Sequence, residues 1–371
     1  MNSENIIVVG ASAGGFEAIK TLVKGLPKDI PASVFIVWHM SPDVRGILPQ
    51  VLNRFEMLPA AHAFDGEEIA DGRIYVAPPD RHLLLEGGRT RVTRGPKENR
   101  FRPAVDPLFR SAAQSYGPNV IGIILSGALD DGSSGLWTVK QKGGIAVVQD
   151  PVDAEVPSMP ENAIRGVAVD HILPIADIPH LLVKLVHEKE RRAAMSEGSG
   201  NGLDEKQLQI EVGIAAEDNG LEKGIMEFGE FSPFACPDCH GVLSLLNEGN
   251  IVRYRCHTGH GYTADSLLAS LTENIEKSLW DAIRGVDESI MLLNHMGDHF
   301  AESNQPKLAS LFFRKAKEAE DRNAVVRSAV MAHEQFSADS LRHEIGTNGD
   351  QHDGRHDGRD GLGRAADQTS H

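Results

Sequence analysis

The stretch IIVVGASAGGFEAI, residues 6–19, decides the fold of this chain. Its first four residues are apolar and β-branched, which predicts a buried strand. Small residues follow from Gly10 to Gly15, and apolar residues at helical spacing begin at Phe16. We therefore expect Ser12 at a strand-to-helix turn, where the helix N-terminus presents backbone N–H groups.

Two kinds of site compete for this turn. A phosphate cradle needs the Gly-Lys-Ser/Thr of a P-loop or a G-x-G-x-x-G fingerprint, and the turn has neither. Residues 10–14, GASAG, fit the G-x-S-x-G pattern of serine hydrolases instead. The pattern is short, and an ordinary βα turn also explains it. A base and an acid at the ends of neighbouring strands would favour a nucleophilic serine over an ordinary turn.

Length and composition limit the possible domain number, location and function. A chain of 371 residues has room for two or three domains, and its net charge of −16 argues against binding to nucleic acid. No apolar run approaches the ~20 residues that span a bilayer, and the start MNSEN lacks the features of a signal peptide. We expect a cytoplasmic protein without membrane insertion.

Residues 5–186 alternate between predicted strands and helices. The central strands, such as residues 33–37 and 120–125, are apolar throughout. This pattern predicts an α/β fold, a doubly wound and mainly parallel sheet with helices on both faces. Ligand sites of such sheets lie beyond the carboxyl ends of the strands, at a switch in strand order.

Three polar residues follow predicted strands in this part of the chain. Ser12, His39 and Asp131 have the chemical types of a nucleophile, a base and an orienting acid. Asp130 competes with Asp131 for the acid role, and either aspartate can instead cap the next helix. The order Ser–His–Asp along the chain differs from that of α/β-hydrolases, in which the acid precedes the histidine.

Several motifs occur in the order and spacing of one known family. They are the stretch at 6–19, the WHM at 38–40, DGE at 65–67, YVAPP at 75–79, NRFRPAVD at 99–106, the loop 126–132 and MP at 159–160. With them, residues 5–188 resemble the catalytic domain of CheB-type chemotaxis protein-glutamate methylesterases.

The resemblance implies a serine esterase that needs no cofactor. It would hydrolyse glutamate methyl esters on the cytoplasmic helices of chemoreceptors and also deamidate glutamine there, with a receptor methyltransferase or other chemotaxis components as further partners. The resemblance assigns Ser12 as nucleophile, His39 as base and Asp131 as acid. It implies an oxyanion hole that includes the backbone amide of Ala128, with a second amide from the serine turn at Ala13.

The chain also departs from the family pattern. Ala13 stands where threonine is common, and Ala128, Leu129 and Asp130 replace methionine, glycine and asparagine. We expect Leu129 to reshape the pocket. Because the first strand begins at about residue 5, we also expect no receiver domain in front of the catalytic domain and no activation by aspartyl phosphorylation in cis.

Composition divides the chain into five parts. We predict a methylesterase domain at 1–190, a flexible acidic linker at 191–230, a zinc-ribbon-like unit at 231–263, a helical hairpin at 264–342 and a disordered tail at 343–371. The hairpin is either a satellite of the zinc unit or a surface for a partner or a dimer.

The small unit carries all three cysteines of the chain. A C-x2-C pair at 236–239 and a C-x3-H pair at 256–260 have the spacing of a tetrahedral structural Zn²⁺ site. The predicted ligands are Cys236, Cys239, Cys256 and His260, with His257 or His240 as substitutes for the histidine. Four protein ligands leave no open position for catalysis.

The predicted function is hydrolysis of glutamate methyl esters by the serine site. An enzyme that mainly deamidates glutamine is a close variant. The alternative from another class is a non-catalytic signalling scaffold or binding module that uses the α/β domain and the C-terminal helices. The presence of Ser12, His39 and Asp131 favours the enzyme.

Overall fold

The computed structural model describes residues 5–39, 46–188, 204–217 and 221–334. The described residues of its N-terminal half, 5–39 and 46–188, contain nine strands: β1 (Ile6–Ala11), β2 (Ser33–Trp38), β3 (Ala60–His62), β4 (Arg73–Val76), β5 (His82–Glu86), β6 (Arg89–Thr93), β7 (Val120–Ile124), β8 (Ile145–Gln149) and β9 (His171–Leu173). Seven form a parallel sheet in the order β3-β4-β2-β1-β7-β8-β9. Strands β5 and β6 pair as an antiparallel hairpin.

Helices cover both faces of the large sheet. They are α1 (Gly15–Gly25), α2 (Leu48–Asn53), α3 (Val105–Tyr116), α4 (Ser133–Gln141), α5 (Ser158–Gly166) and α6 (Ile178–His187). The alternating residues of β1 explain the two cores, because Ile6 and Val8 pack on one side while Ile7 and Val9 pack on the other. This confirms the predicted doubly wound α/β fold.

The switch in strand order lies at β1. This strand pairs with β2 on one side and with β7 on the other, so that Ala11 lies opposite Trp38 and Gly10 opposite Ile124. The loops that follow these three strands therefore meet at one edge of the sheet. Ser12, His39 and the loop after β7 are all placed there.

The second half of the chain forms what we call the C-terminal unit, the described residues from 204 onwards. It consists of α7 (Glu205–Ala215), β10 (Glu230–Ala235), β11 (Val242–Glu248), β12 (Ile251–Cys256), β13 (Gly261–Thr263), α8 (Ala264–Glu302) and α9 (Pro306–Met331). Strands β10 to β13 form an antiparallel sheet in chain order. Helices α8 and α9 pack along each other as a hairpin. Among the described residues, no helix combines the length and the apolar character needed to cross a bilayer.

One sequence prediction does not hold for this part. The linker predicted at 191–230 contains α7, whose residues Leu208 and Ile214 are buried. Residues 191–203 and the tail at 343–371 lie outside the described residues, as does the end of the predicted hairpin beyond 334. Asp204 caps α7 by accepting hydrogen bonds from two backbone N–H groups of its first turn.

Buried charges join the C-terminal unit to the N-terminal half. Arg253 of β12 donates two hydrogen bonds to Glu211 of α7, at 3.0 and 2.7 Å, and Arg255 pairs with Glu98 at 3.0 Å. Arg110 of α3 pairs with both Glu98 and Glu211. All five side chains are at most 2% exposed. Because buried charges are costly unless they are paired, these contacts make the docking specific.

Candidate active site

The turn that carries Ser12 is clamped between the two neighbouring strands. The Ser12 N–H donates to the carbonyl of Ser126 at 3.0 Å, and Trp38 Nε1 donates to the Ser12 carbonyl at 3.0 Å. Gly127 permits this close approach, since a Cβ there would lie 2.9 Å from the Ser12 Cβ. Gly14 has a φ of 70°, the left-handed conformation that favours glycine. The local backbone therefore fixes where the serine stands.

His39 and Asp131 form a buried pair. His39 Nε2 lies 2.7 Å from Asp131 Oδ2, and the two side chains are 2% and 1% exposed. The imidazole stacks on Phe101, with ring centroids 3.8 Å apart and planes 9° apart. A carboxylate partner makes Nε2 the protonated nitrogen, so Nδ1 is the proton acceptor. Nδ1 has no hydrogen-bond partner among the described residues.

Four donors hold the Asp131 carboxylate. Besides His39, these are the backbone N–H of Val105 at 2.7 Å, the side-chain amide of Asn99 at 2.9 Å and the backbone N–H of Asp106 at 3.3 Å. Burial by itself raises the pKa of this carboxyl. The hydrogen bond and charge of His39, aided by Val105 and Asn99, outweigh burial and hold the pKa below its usual value. Asp131 is therefore a stable anion beside the imidazole.

Asp130 occupies a different environment. Its Oδ1 accepts a hydrogen bond from Thr263 Oγ1 of the C-terminal unit at 2.7 Å. Burial raises the pKa of Asp130 to about 8, although the Thr263 hydrogen bond lowers it. Of the two aspartates that the sequence left open for the acid role, Asp131 is the one that the structure pairs with His39.

Ser12 and His39 line one cleft of about 490 Å³. Ala13 also lies in its wall, whereas Ala128, the other residue predicted to bind the oxyanion, is not part of the lining. Lys97, Arg100 and Phe101 line this cleft and also a neighbouring groove of about 680 Å³, whose other wall includes Trp280 of α8. The C-terminal unit thus borders the approach to Ser12.

Leu129 shows why glycine is usual at its position in the family. Its φ is 61°, a conformation that L-residues with a side chain adopt at a cost in strain. Its carbonyl accepts hydrogen bonds from Asn162 at 2.9 Å and from Ser158 at 3.2 Å, both in α5. These bonds hold the strained loop that carries Asp130 and Asp131.

The four predicted metal ligands come together in the C-terminal unit. The Sγ atoms of Cys239 and Cys256 lie 3.6 Å apart, and His260 Nδ1 lies 3.6 Å from Cys256 Sγ and 3.7 Å from Cys236 Sγ. The zinc–ligand lengths of a tetrahedral Cys₃His site, about 2.3 Å to sulfur and 2.0–2.1 Å to nitrogen, require separations of roughly 3.5–3.8 Å. The donor set therefore fits Zn²⁺.

The two alternative histidines do not join this cluster. The metal-compatible group consists of Cys236, Cys239, Cys256 and His260. His257 packs over Gly241 instead, where a Cβ would lie 2.4 Å from the His257 ring. His240 has a φ of 61° and belongs to the turn after the first two cysteines. Of the three histidines that the sequence left open, His260 is the one that faces the thiols.

Two residues near His39 and Asp131 carry no functional signal in the sequence. Asn99 stands inside the motif at 99–106 without a predicted role, and Thr263 belongs to no motif. The left-handed φ of Asn99, 48°, is a conformation that asparagine tolerates well, but nothing in the local pattern predicts it. Their contacts cross from one half of the chain to the other and leave no local signal.

Comparisons with known proteins each match about half of this chain. A family model described as CheB methylesterase matches residues 7–182. A protein of Leptospira interrogans (strain Fiocruz L1-130), named putative protein-glutamate methylesterase/protein-glutamine glutaminase, is 40% identical over 186 residues, which are 50% of this chain and 96% of that protein. A similarly named Photorhabdus laumondii protein is 41% identical over 179 residues, 47% of this chain and 51% of that protein.

One solved structure belongs to the same comparison. The Thermotoga maritima CheB methylesterase catalytic domain is 35% identical and superposes with a TM-score of 0.48, over 49% of this chain and 99% of that one. The chain spans about half the length of the Photorhabdus protein and nearly the whole length of the Leptospira protein.

Proposed function

Since the chain belongs to the CheB methylesterase family, we propose that it is a serine esterase that hydrolyses glutamate methyl esters on chemoreceptors. The observation that carries the proposal is the buried His39–Asp131 pair at 2.7 Å beside a cleft that Ser12 also lines. This arrangement supplies a nucleophile, a base and an anion that stabilises the base when it takes a proton.

The proposed reaction has two halves. Ser12 Oγ attacks the γ-carbonyl carbon of the ester while His39 Nδ1 takes the hydroxyl proton, and Asp131 stabilises the resulting imidazolium. The C–OCH₃ bond then breaks, and His39 returns the proton so that methanol leaves. Water, activated by His39, next attacks the acyl-enzyme and releases the glutamate carboxyl and free Ser12. The same steps on a glutamine amide release ammonia.

Backbone N–H groups would stabilise the oxyanion of both intermediates. Ala13 is the better placed of the two predicted donors, because it lies in the wall of the cleft. Its N–H donates no hydrogen bond within the described part of the chain, so it can point at the developing charge. We assign Ala128 as the second donor on the family pattern.

The catalytic domain and the metal have separate roles in this proposal. We propose that residues 1–190 form the catalytic domain and that Cys236, Cys239, Cys256 and His260 hold a structural Zn²⁺ that takes no part in the chemistry. When bound, the metal would crosslink the short sheet that carries its ligands. We further propose that the enzyme acts in the cytoplasm, where receptor helices are accessible and these cysteines stay reduced.

Methanol release from methylated receptor fragments tests the proposal. Ser12→Ala is expected to lower kcat by about 10⁴-fold or more, since the triad acts as a unit. The control Ser278→Ala removes a hydroxyl that donates to Asn274 inside α8 and should keep the wild-type rate. Wild-type release no faster than that of Ser12→Ala would refute the esterase and favour the non-catalytic scaffold. Ammonia release from glutamine-bearing fragments distinguishes a deamidase.

A further inference from the structure

The side chain of Asn99 connects the catalytic acid to the C-terminal unit. Its Nδ2 donates to Asp131 Oδ1 and to Asp106 Oδ2, both at 2.9 Å. Its Oδ1 accepts from the Thr263 backbone N–H at 3.0 Å and from Ser266 Oγ at 3.1 Å. The amide thus uses its full capacity of two donated and two accepted bonds, and Asn99 is 3% exposed.

These contacts fix which way the amide points. With its oxygen towards Thr263 and Ser266, the NH₂ group must face the two carboxylates. The opposite orientation would place the amide oxygen against negative charge and turn the amide NH₂ towards the two C-terminal donors, a costly arrangement in a buried site. The C-terminal unit therefore determines that Asp131 receives a donor rather than an acceptor.

Backbone pairing holds the two halves of this contact in register. The Asn99 N–H donates to the Gly261 carbonyl at 2.8 Å, and the Gly261 N–H donates to the Lys97 carbonyl at 3.2 Å. Thr263, at the end of the same strand, caps α8 together with Ser266 and also reaches Asp130. The neighbour of Asn99, Glu98, belongs to the buried charge cluster. Asn99 is thus anchored at its backbone, its side chain and its neighbouring residue.

We propose that Asn99, Thr263 and Ser266 form a positioning relay through which the C-terminal unit holds the Asp131 carboxylate in place for His39. The proposal rests on the proposed esterase function. Two of the three relay residues lie outside the region that matches the family, residues 7–182, so the relay is an addition to the shared catalytic domain. None of the three residues lines the cleft around Ser12, so the relay acts on the rate of the chemical step rather than on substrate binding.

A double-mutant cycle in the full chain tests the relay. Asn99→Gly removes the amide and keeps the left-handed backbone, and Ser266→Ala removes one of its two donors. We expect kcat to fall by about tenfold in Asn99→Gly and by about fivefold in Ser266→Ala, with KM unchanged. The larger loss is expected for Asn99 because its amide donates to carboxylates, whereas Ser266 donates to the neutral amide oxygen. If Ser266 acts through Asn99, the double variant is no slower than Asn99→Gly.

The controls separate the relay from general loosening of the C-terminal unit. Asp204→Ala removes the cap of α7, far along the chain from the relay, and should keep kcat within about twofold of wild type because it touches no relay contact. Thr263→Ser keeps the hydroxyl that caps α8 and should also keep the rate. Three results would each overturn the proposal. They are a wild-type rate in Ser266→Ala, a loss of rate in Asp204→Ala as large as that in Ser266→Ala, and a loss of rate in the double variant equal to the product of the two single losses.

Two further measurements test the relay without a receptor substrate. Acylation by a fluorophosphonate probe reports on Ser12 without any receptor, and the relay variants should slow it by the same factors as kcat. The NMR resonance of the His39 Nε2 proton reports on the Asp131 hydrogen bond without any reaction. We expect it to be displaced or broadened in Ser266→Ala and unchanged in Asp204→Ala. An unchanged resonance in both Ser266→Ala and Asn99→Gly would overturn the relay even in an inactive protein.

Discussion

Replacing Glu211 with glutamine removes one negative charge from the buried cluster that docks the C-terminal unit. Glu211 accepts hydrogen bonds from Arg253 and lies 3.4 Å from both Arg255 and Arg110. Burial raises the pKa of its carboxyl, but the three arginines outweigh burial and lower the pKa from 4.5 to about 2. The variant leaves the arginines in place with one fewer anion among them.

The size of the effect follows from that pKa. Each pKa unit is equivalent to about 1.36 kcal/mol, so the ionised form of Glu211 contributes roughly 3 kcal/mol to the free energy of unfolding at pH 7. Because the folded-state pKa is lowered, the contribution is complete above pH 4.5 and is lost as the pH falls towards 2. Breaking buried pairs in other proteins costs a similar amount, about 3–5 kcal/mol.

Urea unfolding of Glu211→Gln at two pH values measures this directly. The fluorescence of Trp137, which packs against Gly249 of the β11–β12 turn, reports the release of the C-terminal unit. We expect a loss of about 3 kcal/mol at pH 7 and of roughly 1 kcal/mol at pH 3. Glu205 lies in the same helix, but its side chain is 61% exposed and pairs with Lys142, so Glu205→Gln should change stability by less than about 0.5 kcal/mol. A loss at pH 7 no larger than that of this control would refute the reasoning.

Three further variants probe the metal, the acidic loop and the groove. Elemental analysis is expected to find about one zinc per chain in wild type and in His257→Ala, which lies outside the cluster, and much less in His260→Ala. Equal zinc in the two variants would contradict the assigned ligands. Asp130→Asn should raise the free energy of unfolding at pH 8 by at least about 1.4 kcal/mol and lose that advantage near pH 4. The reason is that burial raises the pKa of Asp130 to about 8, so the folded state loses stability as the pH rises from 4 to 8. Equal denaturation midpoints of wild type and Asp130→Asn at pH 8 would contradict this prediction. Trp280→Ala should raise KM about fivefold for receptor fragments at constant kcat, because truncating an aromatic side chain weakens binding by about this factor. An unchanged KM would exclude the groove from substrate binding.

The local sequence was enough to locate the catalytic strands. A strand of a parallel sheet is covered on both faces, so residues 6–9 and 120–125 form unbroken apolar runs that stand out without knowledge of the fold. Ser12 and His39 directly follow such strands, Asp131 lies in the loop after another one, and the rule for parallel sheets brings all three to one edge. The spacing of the cysteines and the histidine likewise predicted which residues cluster, because a metal site constrains short segments.

The features that the sequence did not predict depend on distant partners. Glu211 lies in a segment with the polar composition of a linker, and its helix becomes part of the core only because Arg253 and Arg255 neutralise the buried charge. Asn99 and Thr263 are separated by 164 positions, and the residues around each of them give no sign of the contact. Local patterns carry no information about such pairs, since the free energy that fixes them arises only in the folded chain.

That separation of 164 positions also imposes an order of events on synthesis. The ribosome completes Ser12, His39 and Asp131 long before it makes β13 and the start of α8, and domains fold as units while the chain emerges. In a nascent chain the amide of Asn99 still lacks both of its C-terminal donors. If the relay works as proposed, full esterase activity arises only after β13 and the start of α8 have emerged and docked, which limits the hydrolysis of receptors by incomplete chains.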